Sequence, residues 1–219
     1  MGLNSMLLIL AIGIASNLDN AGVGIAYGVK KTRIPLIANS IIALMGFSLA
    51  LVGGLFGNWI SLWLTPFTCQ LISMIVLVSI GVYVLGQQYL TIKQPEVVYV
   101  FNQQRLTDET MEQPSDNYLL RVLRNPEDAD LDNSKSIGLS ESVILGIALS
   151  INNLAGGFSA GITQLNILAT ASVSGLFSFL CTGLCAVFGL KFAAGRLGEK
   201  ATTISGILLI LVGIHQVIS

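Results

Sequence analysis

Apolar residues run almost without interruption over 4–27, and again over 35–56, 66–90, 141–162, 167–190 and 201–218. A helix needs about 20 residues to cross a bilayer, and each run has about that length. The pattern predicts an all-α membrane protein with six transmembrane helices. "VKKTR", "GNWISLW", a polar stretch from Thr91 to Ser140, "TQLN" and "KFAAGRLGEK" separate the runs.

Composition agrees. The 219 residues are 53% hydrophobic and 11% charged, where a soluble domain carries about 25% charged residues, and the mean hydropathy is +0.77. Nothing in the balance of charge points to nucleic acid. No Lys or Arg occurs in the first 29 residues, so a signal peptide's basic start is missing and the first run is expected to be a retained helix. Cys69, Cys181 and Cys185 all fall in apolar runs and are expected to be reduced.

Every basic residue lies in alternate connections: Lys30, Lys31 and Arg33; then Lys93, Arg105, Arg121, Arg124 and Lys135; then Lys191, Arg196 and Lys200. By the positive-inside rule these connections are expected to be cytoplasmic and both termini outside. Trp59 and Trp63 then fit an anchor at the outer interface. The expected location is a bacterial plasma (inner) membrane.

The two ends of the chain resemble each other. At an offset of 133, "IGIASNLDNAGVGIAYG" (12–28) aligns with "LGIALSINNLAGGFSAG" (145–161), with identities at Gly13/Gly146, Ile14/Ile147, Ala15/Ala148, Asn20/Asn153, Gly24/Gly157 and Gly28/Gly161. Near offset 132, "IGVY" (80–83) echoes "VGIH" (212–215). The chain therefore reads as 1–90, a first three-helix repeat; 91–140, an acidic loop; and 141–219, a second three-helix repeat. An odd number of spans per copy makes this a 3+3 inverted repeat, and such folds place their substrate near the midplane, where the copies meet.

The alignment sets Asp19 against Asn152 and Asn20 against Asn153, all midway through their spans. An ionised Asp at mid-bilayer costs about 2.5–3.5 kcal/mol, so it normally faces a partner or a wet cavity. Gly24-x-x-x-Gly28 and Gly157-x-x-x-Gly161 are patterns that let helices approach closely. Contact between the first helices of the two halves would bring Asp19, Asn20, Asn152 and Asn153 together. Oxygen ligands of this kind suit Mg, Ca or Mn. The same residues serve equally as hydrogen-bonding glue between helices, and both readings stay open.

"LDNAGVGIAYGVKKTRIP" and "GIALSINNLAGGFSAG" resemble the paired signature segments of the MntP-type manganese efflux family, and more closely its YtaF branch, within the LysE superfamily of exporters. The resemblance covers the six-helix plan and implies export of a divalent metal cation, Mn2+ above all, by alternating access. In the family pattern the first segment has Ser where Asn17 stands here, and the second has Asp where Asn152 stands. Asn152 therefore removes one of two expected membrane carboxylates.

The loop between the halves holds a second candidate. "DLDNSKSIGLSE" (130–141) follows the register of a twelve-residue calcium loop of EF-hand type. Asp130 stands at position 1, Asp132 at 3, Ser134 at 5 and Glu141 at 12; Ser136 offers a carbonyl at 7, and Ile137 is the apolar anchor at 8. Lys135 occupies position 6, where the turn favours Gly. No cofactor is expected, apart from Ca2+ or Mn2+ at this loop. "NYLLRVLR" (117–124) is compatible with a short entering helix ended by Pro126. A solvated acidic linker is the plain alternative, since 91–140 holds nine acidic and five basic residues.

Cys181 and Cys185 have the spacing of a soft-metal pair but lack a third ligand, so packing is the expected role. His215 is expected at the outer end of its helix. Asn39, Ser48, Ser172, Ser174 and Ser178 either line a path or bond backbone carbonyls. Nothing resembles a catalytic triad or a phosphate loop, so no enzyme is expected. The partners expected are a divalent cation and the lipid bilayer, with a homodimer left open. A non-transporting scaffold or cation sensor, and a small-solute exporter of the LysE kind, are the alternatives.

Overall fold

The computed structural model describes residues 2–92, 122, 126, 129–132, 134–192, 207, 210, 211 and 214. Seven helices are named among them: α1 (Leu3–Ala15), α2 (Leu18–Val29), α3 (Leu36–Ser61), α4 (Pro66–Ile92), α5 (Leu139–Leu149), α6 (Ile151–Ile162) and α7 (Ile167–Phe192). No strand occurs among the described residues. Four spans are long and apolar enough to cross a membrane: Leu3–Val29, Leu36–Ser61, Pro66–Gly86 and Ile167–Lys191. A fifth results if α5 and α6, bent by 46° at their junction, count as one. The expected sixth span over 201–218 lies largely outside the described residues, as do His215 and, apart from Val122, the entering helix over 117–124.

Two expected spans prove discontinuous. The first breaks at Ser16 and Asn17, the second at Ser150, where φ and ψ of Asn17 (−124°, 1°) and Ser150 (−100°, 1°) leave the helical well. Hydropathy does not register these breaks because the apolar run continues through them. The remaining boundaries follow local chemistry. Pro66 opens α4 at the first helical position, where its missing N–H costs nothing. Asn166 caps α7, its Oδ1 accepting the N–H of Ala169 at 2.9 Å.

Packing is set by small residues, though not in the expected pairing. Gly24 and Gly28 do not meet Gly157 and Gly161. A Cβ at Gly24 would press on the Thr182 and Cys181 carbonyls of α7, and one at Gly28 would fall on Ala186 and Leu190. On the other side, a Cβ at Gly157 would fall on Ala50 of α3, and one at Gly161 on Gly54. Thus α2 lies along α7 and α6 along α3, with α3 against α7 between them. Each glycine row lets a backbone approach where a side chain would hold it off.

Two apolar clusters form the core. One joins Tyr27, Ala38, Ile42, Val122, Ala129, Ile137, Leu145 and Leu149 at the Arg33 end; the other joins Ile12, Ala15, Leu77 and Ala160 towards the Trp59 end. Between them, along the chain, lie the helix breaks and the polar residues that follow.

Candidate functional site

The polar layer is built from the starts of two half-helices. Asp19 and Asn20 lie in the first turn of α2, and Asn152 and Asn153 in the first turn of α6. The Asn152 amide donates from Nδ2 to Asp19 Oδ2 at 2.7 Å, across 133 residues of sequence. Asn17 and Asn153 exchange a closed pair of hydrogen bonds, 2.8 and 2.9 Å. Asn20 donates from Nδ2 to Asn17 Oδ1 at 3.1 Å and to Ser178 Oγ of α7 at 3.3 Å. The four residues singled out in the sequence fall in two hydrogen-bonded groups, Asp19 with Asn152, and Asn20 with Asn153 through Asn17. Asn17 is the hub that sequence reasoning passed over.

Its role is legible in retrospect. A helix break inside a membrane frees carbonyls that no water reaches, and side chains must satisfy them. Asn17 Nδ2 donates to Gly13 O at 2.8 Å and supplies the bond that the break removes. An amide at the break, three residues before Asn20, was the available signal.

Not every oxygen is satisfied. Asp19 Oδ1, Asn20 Oδ1, Ser16 Oγ and Ser150 Oγ are buried and make no hydrogen bond; neither do Asn39 Oδ1, Ser174 Oγ and Thr182 Oγ1. Buried polar atoms are ordinarily paired, and each exception calls for an explanation. All of these atoms can accept, and cations are what acceptors bind. Asp19 also sits where the positive ends of two half-helix dipoles converge, a position that favours a carboxylate.

The path residues divide. Asn39 is buried and donates to Phe179 O at 3.0 Å, Ser174 and Ser178 are buried, Ser48 is half-buried, and Ser172 faces outward and cannot line an internal route. Cys69, Cys181 and Cys185 are free thiols. A cavity of about 400 Å3 opens near the α3–α4 and α6–α7 turns, lined by Leu8, Ser61, Gln70, Thr163, Gln164 and neighbours.

The loop residues also converge. Oxygens of Asp130, Asp132 and Glu141 lie within 4.8 Å of one another. Asp130 Oδ1 and Asp132 Oδ1 accept the Ser134 N–H at 3.1 and 2.9 Å, and Asp130 Oδ2 accepts that of Lys135 at 3.1 Å. Ser134 Oγ donates to Ser136 O at 2.9 Å. Glu141 accepts from Leu131 N and Gly138 N, both at 2.7 Å. Lys135, at the position that favours Gly, has φ of 59°, so the turn is made despite its side chain. Partial burial, then the Asp132 side chain and the Glu141 charge, raise the Asp130 carboxyl above the usual range, whereas the Ser134 hydroxyl and N–H lower that of Asp132.

Residues 119–217 match the family model described as "Mntp: Putative manganese efflux pump". Over those residues the chain is similar to the MntP family. The "Probable sporulation protein YtaF" of Bacillus subtilis is 28% identical over 211 residues, 96% of this chain and 99% of that protein. The "Putative manganese efflux pump MntP" of Pelotomaculum thermopropionicum is 38% identical over 72 residues, 33% of this chain and 39% of its own. The "Probable manganese efflux pump MntP" of Escherichia coli is 29% identical over 97 residues, 44% and 51% of the two chains. These relatives are named as efflux pumps and a sporulation protein, not as enzymes. No solved structure matches.

Proposed function

We propose that this chain exports a divalent metal cation, with manganese its cargo, by alternating access around Asp19, Asn20, Asn152 and Asn153. The observation that carries the reading is Asp19: a carboxylate at mid-span with one oxygen bonded to Asn152 and the other bare. Asn20 Oδ1, Ser16 Oγ and Ser150 Oγ are equally bare. A cation arriving there exchanges its hydration shell for protein oxygens, and the Asp19 charge offsets the two helix N-termini that would repel it. In this reading the two halves form a 3+3 inverted repeat, which the reciprocal packing of α2 on α7 and α6 on α3 supports. The basic connections are cytoplasmic, and both termini are outside the bacterial plasma membrane. The apolar cluster of Tyr27 and Leu149 then closes the cytoplasmic side, and that of Ile12 and Leu77 the outer side.

Manganese content of metal-sensitive cells tests the proposal. Expression should lower it and Asp19→Asn should abolish the effect; equal manganese content with and without the parent protein overturns the reading.

A second reading concerns the loop. The convergence of Asp130, Asp132 and Glu141 at positions 1, 3 and 12, with the position-6 turn formed, favours Ca2+ or Mn2+ bound there as a sensor attached to α5. Calorimetry of the full chain should detect this binding and lose it in Glu141→Gln, with no heat in the parent counting against it.

A further inference from the structure

Positions 17 and 150 are equivalent in the two halves, and both break a helix, but they are built differently. Asn17 holds its break together, bonding Gly13 O, exchanging two bonds with Asn153 and accepting one from Asn20. Ser150 is fully buried, yet its Oγ bonds nothing. There the chain turns by 46°. Swinging α1 against α2 strips buried hydrogen bonds where no water can replace them. Swinging α5 against α6 strips none from the Ser150 side chain.

What holds α5 lies along its length and at its Glu141 end. Leu145 and Leu149 rest in the apolar cluster with Ile42 and Tyr27. Glu141, in the first turn of α5, accepts from Leu131 N and Gly138 N, which joins the helix to the preceding loop. That loop is fastened to the α2–α3 connection. Arg33 N donates to Lys135 O at 2.8 Å, Ile137 N donates to Arg33 O at 3.0 Å, and the Tyr27 hydroxyl donates to Pro126 O at 2.5 Å.

We propose that α5 is the gate on the Arg33 side of the polar layer, turning about Ser150, and that the Arg33–Ser136 bridge is its latch. Opening lifts Leu145 and Leu149 off Ile42 and Tyr27 and uncovers the Asp19–Asn152 pair two residues beyond the hinge. What passes the gate rests on the exporter reading above; the motion itself does not.

The test uses the full chain with Cys69, Cys181 and Cys185 replaced by Ala, in inside-out membrane vesicles. Leu149→Cys reports opening through its rate of labelling by a water-soluble maleimide. Arg33→Cys with Ser136→Cys, oxidised before the maleimide is added, locks the latch. The expected result is labelling of Leu149→Cys when the latch is reduced, at least about tenfold slower labelling when it is oxidised, and recovery on reduction, a factor of ten being about 1.4 kcal/mol. Manganese uptake into the vesicles should stop and recover in step. Equal labelling in both states, or none in either, overturns the gate. Labelling that follows the latch while no form moves manganese supports the gate and refutes the exporter reading instead. Ser150→Asn, which installs the amide of the first break, should slow labelling, and Ser150→Ala should not; identical rates in the two would move the hinge elsewhere.

Discussion

Asp19→Asn separates function from stability with opposite signs. The wild-type carboxylate at mid-span costs about 2.5–3.5 kcal/mol on insertion scales. The charge-assisted bond from Asn152 returns roughly 1.5–3 kcal/mol, and the second oxygen returns nothing because it is unbonded. The amide is nearly the same size, avoids the cost of a buried charge, and keeps a neutral bond to Asn152 of about 0.5–1.5 kcal/mol. The variant is therefore expected to be more stable by about 1–2 kcal/mol. For a chain of this length that raises the melting temperature by roughly 2–8 °C. Metal export should meanwhile fall to background, since the amide supplies no charge against the two helix N-termini. The assay is thermal unfolding of purified protein in detergent beside manganese efflux from cells expressing equal amounts. A lower melting temperature would show that Asp19 is structural and refute the reasoning, and so would full export by a stabilised variant.

Gly157→Ala should destabilise by about 1–3 kcal/mol, the usual cost of overpacking, because its methyl meets the Ala50 backbone rather than a movable side chain; thermal unfolding checks this. Asn17→Ala should cost about 2–3 kcal/mol, from four lost bonds at roughly 0.6 kcal/mol each, and unfolding of the purified variant measures it. Asn152→Asp places a second carboxylate beside the first, so the metal-free protein should melt lower and added manganese should raise the melting temperature more than in wild type, which a metal titration of the melting curve reads. At the loop, protons compete with cations. Asp130, whose carboxyl is raised, takes up its proton first as pH falls, so terbium luminescence at the loop should weaken above the ordinary aspartate range while Asp132 is still ionised.

Hydropathy and charge placement determined the membrane class, the helical content and four of the described spans, because burial in lipid requires long apolar helices. Internal alignment identified Asp19, Asn20, Asn152 and Asn153 as equivalent, and the register of 130–141 brought Asp130, Asp132 and Glu141 forward. Both sets depend on spacing along the chain, which sequence carries directly. Three features came from the tertiary structure alone. The breaks at Ser16–Asn17 and at Ser150 are invisible to hydropathy, which registers apolar content and not dihedral angles. The glycine rows announced close approach but not the partner, and they lie on α7 and α3 because helix rotation and crossing choose the neighbour. Asn17 became the hub, and the Ser150 hydroxyl was left without a partner, for the same physical reason: a side-chain amide reaches a carbonyl one turn back and a second helix at once, and a serine hydroxyl is too short to do both.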